Sequence, residues 1–128
     1  MSQRLTKAEE EIMLILWKLK EAIVRDVINN LDDPETPYTT VSTVIRILEK
    51  KGFVHHRAVG TTYLYYPTLS KREYLRAYLK GIAKSYFDGS SSNLVTFFAK
   101  ESDMGISELK TLIEEVETEL KKEDKHGK

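Results

Sequence analysis

Cysteine is absent from this 128-residue chain, which excludes disulfides, thiolate zinc sites and cysteine nucleophiles together. Histidine is scarce, with His55, His56 and His126 the three present. The chain has no glycine-rich phosphate loop and no G-x-S-x-G elbow, so the usual sequence carriers of phosphoryl and acyl transfer are missing and no enzymatic activity is expected. No apolar run approaches ~18 residues. The start, Met1-Ser2-Gln3-Arg4-Leu5-Thr6, passes into charged helical sequence without an apolar signal core. A cytoplasmic protein with no lipid partner is expected.

Net charge is also lacking: 20 basic residues face 20 acidic ones. That sum argues against a strongly basic nucleic-acid binder, but the distribution reverses the impression. Between Tyr38 and Lys84 nine basic residues (Arg46, Lys50, Lys51, Arg57, Lys71, Arg72, Arg76, Lys80 and Lys84) stand against Glu49 and Glu73, a local surplus of seven. The balancing acid lies at the two ends. With 41% hydrophobic and 31% charged residues, the chain has enough apolar surface to fold.

Thr6-Lys7-Ala8-Glu9 has the form of a capping box, and behind it Ile12, Ile15, Leu16 and Leu19 recur at helical spacing. A second helix is predicted from Ile23 to Leu31, stopped by Asp32-Asp33-Pro34. A third begins at Thr39 or Thr40, turns Val41, Val44, Ile45 and Leu48 inward, and ends at Lys51-Gly52. The period then changes. Phe53–Val59 and Thr62–Pro67, rich in β-branched and aromatic residues around Gly60-Thr61, read as a β-hairpin. Three helices followed by a hairpin is the order of a winged helix-turn-helix, whose third helix enters the major groove. Beyond Thr68, Ser70 is a plausible N-cap for a helix carrying Tyr74, Leu75, Tyr78, Leu79, Ile82 and Phe87. Gly89-Ser90-Ser91-Ser92 interrupts it, a short helix carries Leu94, Val95, Phe97 and Phe98, and Ile106, Leu109, Leu112, Ile113, Val116 and Leu120 mark a last amphipathic helix. These helices are too thin for a core of their own, so their apolar faces are expected to meet a second subunit. The expected architecture is mainly α with a small β wing: a winged helix-turn-helix over residues 1–69 and a helical dimerisation domain over 70–128.

From Thr40 to Gly52, and in the His55-His56 hairpin that follows, the sequence resembles the BlaI/MecI family of penicillinase and methicillin-resistance repressors. Leu5 to Trp17 is similar to that family's opening helix, and Leu94 to Glu101 with the acidic last helix to its dimerisation region. The resemblance implies a homodimer that binds inverted-repeat operator DNA and represses transcription, often of β-lactamase or related resistance genes. It also implies release by proteolysis before a phenylalanine, which makes Phe97-Phe98 the matching pair and a membrane metalloprotease sensor a further partner. The family's usual asparagine is replaced here by Phe97, and Ile47 stands where an arginine is common, with Arg46 one position earlier. Copper-responsive relatives carry a cysteine-rich metal site, and that sensor is excluded.

On the third helix Thr39, Thr40, Ser42, Thr43, Arg46 and Lys50 fall on the polar side, where hydroxyls and a guanidinium suit phosphates and base edges; a merely solvated face is the bland alternative. Arg57, Gly60, Thr61 and Thr62 occupy the wing and either lie along the DNA backbone or simply form a hairpin turn. Lys51, Lys71 and Arg72 are further backbone candidates. Leu75, Leu79, Leu94, Phe98, Leu109, Leu112, Ile113 and Val116 are the dimerisation candidates. Adjacent residues on a strand point to opposite faces, so His55 and His56 are not expected to share a metal, and neither metal nor cofactor is expected. Tyr63 and Tyr65 share a strand face expected to cover the third helix, and Trp17 reads as core. The carboxylates are expected on exposed faces. A winged-helix module that docks a protein rather than DNA is the competing function, kept open by the neutral total charge.

Overall fold

The computed structural model describes residues 4–126, with side chains through Glu123. The elements run α1 (Lys7–Leu19), α2 (Val24–Asn29), α3 (Tyr38–Lys51), β1 (Val54–Val59), β2 (Thr62–Pro67), α4 (Lys71–Phe87), α5 (Ser91–Glu101) and α6 (Ile106–His126). This is the mainly helical, winged architecture that the sequence predicts. The chain forms two compact units that divide after Gly81.

The capping box at Thr6 forms as read. Thr6 Oγ1 accepts from the Glu9 amide at 3.1 Å and Glu9 Oε1 accepts from the Thr6 amide at 2.9 Å, satisfying two otherwise orphaned donors. α2 is shorter than its apolar spacing predicts, beginning behind Ile23 and ending at Asn29. The Asn30 amide group donates to the Asp26 carbonyl at 2.8 Å and closes the helix there. α3 starts earlier than expected, at Tyr38, because Pro37 (φ −62°) presets the entry and its carbonyl accepts from Thr40 and Val41. Gly52 ends α3 at φ 90°, a left-handed conformation that side chains with a Cβ rarely adopt.

β1 and β2 pair antiparallel from Val54↔Pro67 to Val59↔Thr62, joined by Gly60-Thr61. Gly60 has φ 64°, as a two-residue hairpin loop requires at a central position. The base of the hairpin is fixed by a further bridge: Ala22 and Tyr65 exchange backbone hydrogen bonds of 2.9 and 2.8 Å. The link between α1 and α2 therefore holds the wing.

The core of this unit is built from Met13, Leu16, Val27, Val41, Ile45, Leu48 and Val54, all fully buried. Burying each such side chain contributes about 1.5 to 3 kcal/mol. Trp17 closes one side, its Nε1 donating to the Leu69 carbonyl at 2.9 Å. Tyr74 of α4 is buried against Trp17 and Phe53, with ring centroids 5.6 and 6.0 Å away, so the start of α4 is part of this core. A second capping box, Ser70 with Glu73, begins α4.

One carboxylate departs from the exposed placement expected of it. Glu9 is buried, and both its oxygens take the Lys51 ammonium at 2.9 Å. The start of α1 is thereby tied to the end of α3, 42 residues away. Burial pushes the Glu9 carboxyl up, but hydrogen bonds from Lys51 and Thr6 and the charge of Lys51 outweigh it, and its pKa lies below the usual 4.5. A depressed carboxylate stabilises the fold above its unfolded-state pKa and loses that contribution as pH falls through the folded value. Glu9→Gln keeps a capping acceptor but loses the ion pair. It is expected to cost about 1 to 2 kcal/mol at neutral pH, below the range for a fully buried pair because Lys51 is 30% exposed. Thermal melts of both proteins from pH 7 downward check this: the gap between melting temperatures should close below pH 4.5.

The second unit is more open. Asp88 and Gly89, at φ 52° and 79°, turn the chain out of α4, and Ser90 caps α5 by accepting from the Asn93 amide. Phe87 and Phe97 are in ring contact at 5.6 Å. Leu94, Leu109 and Leu112 are half-buried, while Phe98, Ile113, Val116 and Leu120 are exposed. No helix among the described residues is long and apolar enough to cross a membrane.

Candidate functional site

α3 packs against α1, α2 and β1, and the side left uncovered carries a continuous stripe. Thr39, Thr40, Thr43, Arg46, Ile47 and Lys50 are all exposed, and their separations of three and four residues place them on one helix face. Thr39 and Thr40 lie in the first turn, where the helix dipole is positive. Lys50 lies in the last.

Ser42 is a correction to the expected polar face. It is 8% exposed, because α3 is enclosed on three sides and its buried strip is wider than the four apolar positions alone. The small hydroxyl is satisfied there, accepting from the Arg46 guanidinium at 3.2 Å. It orients the arginine from beneath the exposed face. Ile47, 41% exposed, was missed among the site residues; its i+4 spacing from Thr43 was the available signal.

At the wing, Arg57, Gly60, Thr61 and Thr62 are exposed. Arg57 pairs with Glu21 at 3.2 Å, but both side chains are about half in solvent, and such a pair contributes little and exchanges readily. Lys51 is committed to Glu9 and drops out of the exposed cations. Tyr63 is a second correction: it is exposed and does not cover α3. It pairs with Ala58 one rung from the hairpin end, beyond the reach of the core, and rests instead on the His56 ring with centroids 4.3 Å apart. Tyr65, nearer the base, is buried as expected. Burial, and then the Glu49 carboxylate, hold its phenol above the usual tyrosine range, so it stays neutral.

The histidines give the third correction. Despite their adjacency on β1, both turn to one carboxylate: Glu49 Oε2 lies 3.2 Å from His55 Nδ1 and 2.6 Å from His56 Nδ1. Glu49 stands in the last turn of α3, and the short link through Gly52 and Phe53 brings it beside the first residues of β1, where an imidazole from either side can reach it. One potential ligand atom from each of the three residues lies within 4.8 Å of the others. The side chain of His126 lies outside the described residues.

Among the dimerisation candidates, Leu75 and Leu79 on α4 are exposed. Phe97 and Phe98 are about half exposed and sit within helical α5.

A sequence profile of the penicillinase repressor family matches residues 5–118. The chain is similar to a penicillinase repressor of Bacillus licheniformis, 25% identical over 116 residues, covering 88% of this chain and 91% of that protein. It is also similar to the methicillin resistance regulatory protein MecI of Staphylococcus aureus strain N315, 26% identical over 109 residues, covering 84% and 89%. Among solved structures, the DNA binding domain of the repressor BlaI aligns with a TM-score of 0.49 and 28% identity, covering 58% of this chain and 94% of that one.

Proposed function

Because this chain belongs to the penicillinase repressor family, we propose that it is a transcriptional repressor that binds inverted-repeat operator DNA as a homodimer, controlling β-lactamase or related resistance genes. The observation that carries this reading is the uncovered face of α3. Thr39, Thr40, Thr43, Arg46 and Lys50 share it, and a helix of this width fits the major groove of B-DNA. Arg46, held by Ser42, supplies the forked donor suited to guanine. The threonines and Lys50 suit phosphates and neighbouring base edges. Arg57, Gly60, Thr61 and Thr62 lie along the backbone as the wing.

Residues 1–69 carry DNA recognition, and residues 70–128 pair the two copies, with Leu75, Leu79, Leu94, Phe98, Leu109, Leu112, Ile113 and Val116 as contacts. The exposed apolar side chains of α4, α5 and α6 support that division, since such surface is costly to leave in water. On this reading the repressor acts in the cytoplasm. Release follows cleavage at Phe97-Phe98 by a membrane metalloprotease sensor, and because that bond lies inside α5, the helix must open locally before it is cut.

Salt dependence separates this function from a protein-docking module. A dimer making about six to ten phosphate contacts loses roughly 10³ to 10⁵ in affinity between 50 and 200 mM salt. Fluorescence anisotropy on a labelled duplex measures the slope. A flat response, or no duplex binding at low salt, would favour the docking module.

A further inference from the structure

We propose that Glu49, His55 and His56 form a binding site for a divalent transition-metal ion of the zinc class, clasping the end of α3 to the base of the wing. One carboxylate and two imidazoles are a donor set that suits zinc, with a fourth position left for water. At metal–ligand bonds of about 2.0 to 2.2 Å, neighbouring donors in a tetrahedral site stand about 3.3 Å apart. The two Nδ1 atoms lie 3.2 and 2.6 Å from Glu49 Oε2, and the three ligand atoms fall within 4.8 Å of one another. An ion between them needs only a small outward shift, which the His55 side chain, 63% exposed, is free to make.

Both rings are oriented before any ion arrives. His56 is stacked on Tyr63 at 4.3 Å and flanked by Tyr65 at 5.5 Å, while His55 lies against Tyr66 at 6.0 Å. These neighbours reduce the rotamer freedom lost on ligation. Each ring turns Nδ1 inward, so the tautomer with its proton on Nε2 presents the lone pair to the ion. All three ligands fall within the segment 49–56, on either side of the Gly52 cap. Ligation would therefore fix the angle at which the wing leaves α3. The metal site stands on these residues alone, whereas an effect of the ion on DNA affinity would also rest on the proposed repressor function.

The test is a titration of the full chain with Zn²⁺ near neutral pH, in competition with a chromophoric chelator, while the histidine ring resonances are followed by NMR. One equivalent per chain is expected, with the His55 and His56 resonances shifting together and Mg²⁺ failing to compete, since it prefers an all-oxygen shell. His55→Ala, whose ring is exposed and carries no core packing, and Glu49→Gln should each weaken binding at least about tenfold, as expected for loss of one ligand of three. His126→Ala should leave it unchanged. Undiminished binding in the His55→Ala, His56→Ala double variant, loss of binding in His126→Ala, or no saturable binding by the parent chain would each overturn the site.

Discussion

Replacing Thr43 and Arg46 together by alanine is expected to abolish selective operator binding while leaving fold and dimer intact. Both side chains are exposed, and neither contributes to the packed core, so surface substitution should change stability by no more than about 0.5 kcal/mol. A bidentate arginine contact discriminates by about 1 to 3 kcal/mol at each half-site. With two half-sites, loss of the pair lowers specific affinity by between roughly 30-fold and 10⁴-fold. Binding to unrelated duplex should fall far less, because phosphates are still met by Lys50 and Arg57. Ser42→Ala provides a graded companion: it removes the hydroxyl under Arg46 without touching the exposed face, and a smaller loss in the same direction is expected. Anisotropy on specific and scrambled duplexes, with circular dichroism as the fold control, makes the measurement. Unchanged selectivity in the double variant would remove α3 from the reading of DNA.

Placing charge on the pairing surface should have an effect of similar size by a different route. Phe98 on α5 and Val116 on α6 are each about half exposed in the single chain, so glutamates there are solvated in a monomer and cost the fold little. In a paired structure the same glutamates would be stripped of water without a partner. Phe98→Glu with Val116→Glu should therefore yield a folded monomer by sedimentation equilibrium. A linked pair binds its second half-site intramolecularly, an advantage of about 10² to 10⁴, and operator affinity should drop by that factor. A double variant that stays dimeric would move the subunit contact elsewhere.

The parts of this molecule legible in its residues are those with a local period or a local chemical sign. Thr6 and Glu9 are three apart, so their capping box is readable, as is the Ser70 cap of α4. Val41, Val44, Ile45 and Leu48 mark the inner side of α3, and Gly60-Thr61 marks the hairpin turn. What was not legible depends on where distant segments meet. Glu9 and Lys51 are 42 positions apart, and no spacing rule joins them. Tyr74 enters the core because α4 returns past Trp17 and Phe53. Ser42 is buried by the neighbours around α3 rather than by its own polarity. His55 and His56 obey strand alternation in sequence, yet the carboxylate that collects both rings comes from the preceding helix, and only the turn at Gly52 sets that geometry.

The central claim is that the uncovered face of α3 recognises a particular DNA sequence in a two-fold arrangement. Its most direct test is equilibrium binding of the full chain to a duplex bearing the inverted repeat upstream of its own gene, against a scrambled duplex of equal composition at physiological salt. Two chains per duplex are predicted, with at least roughly a 10³-fold preference for the inverted repeat. Equal affinity for the two duplexes would contradict the account.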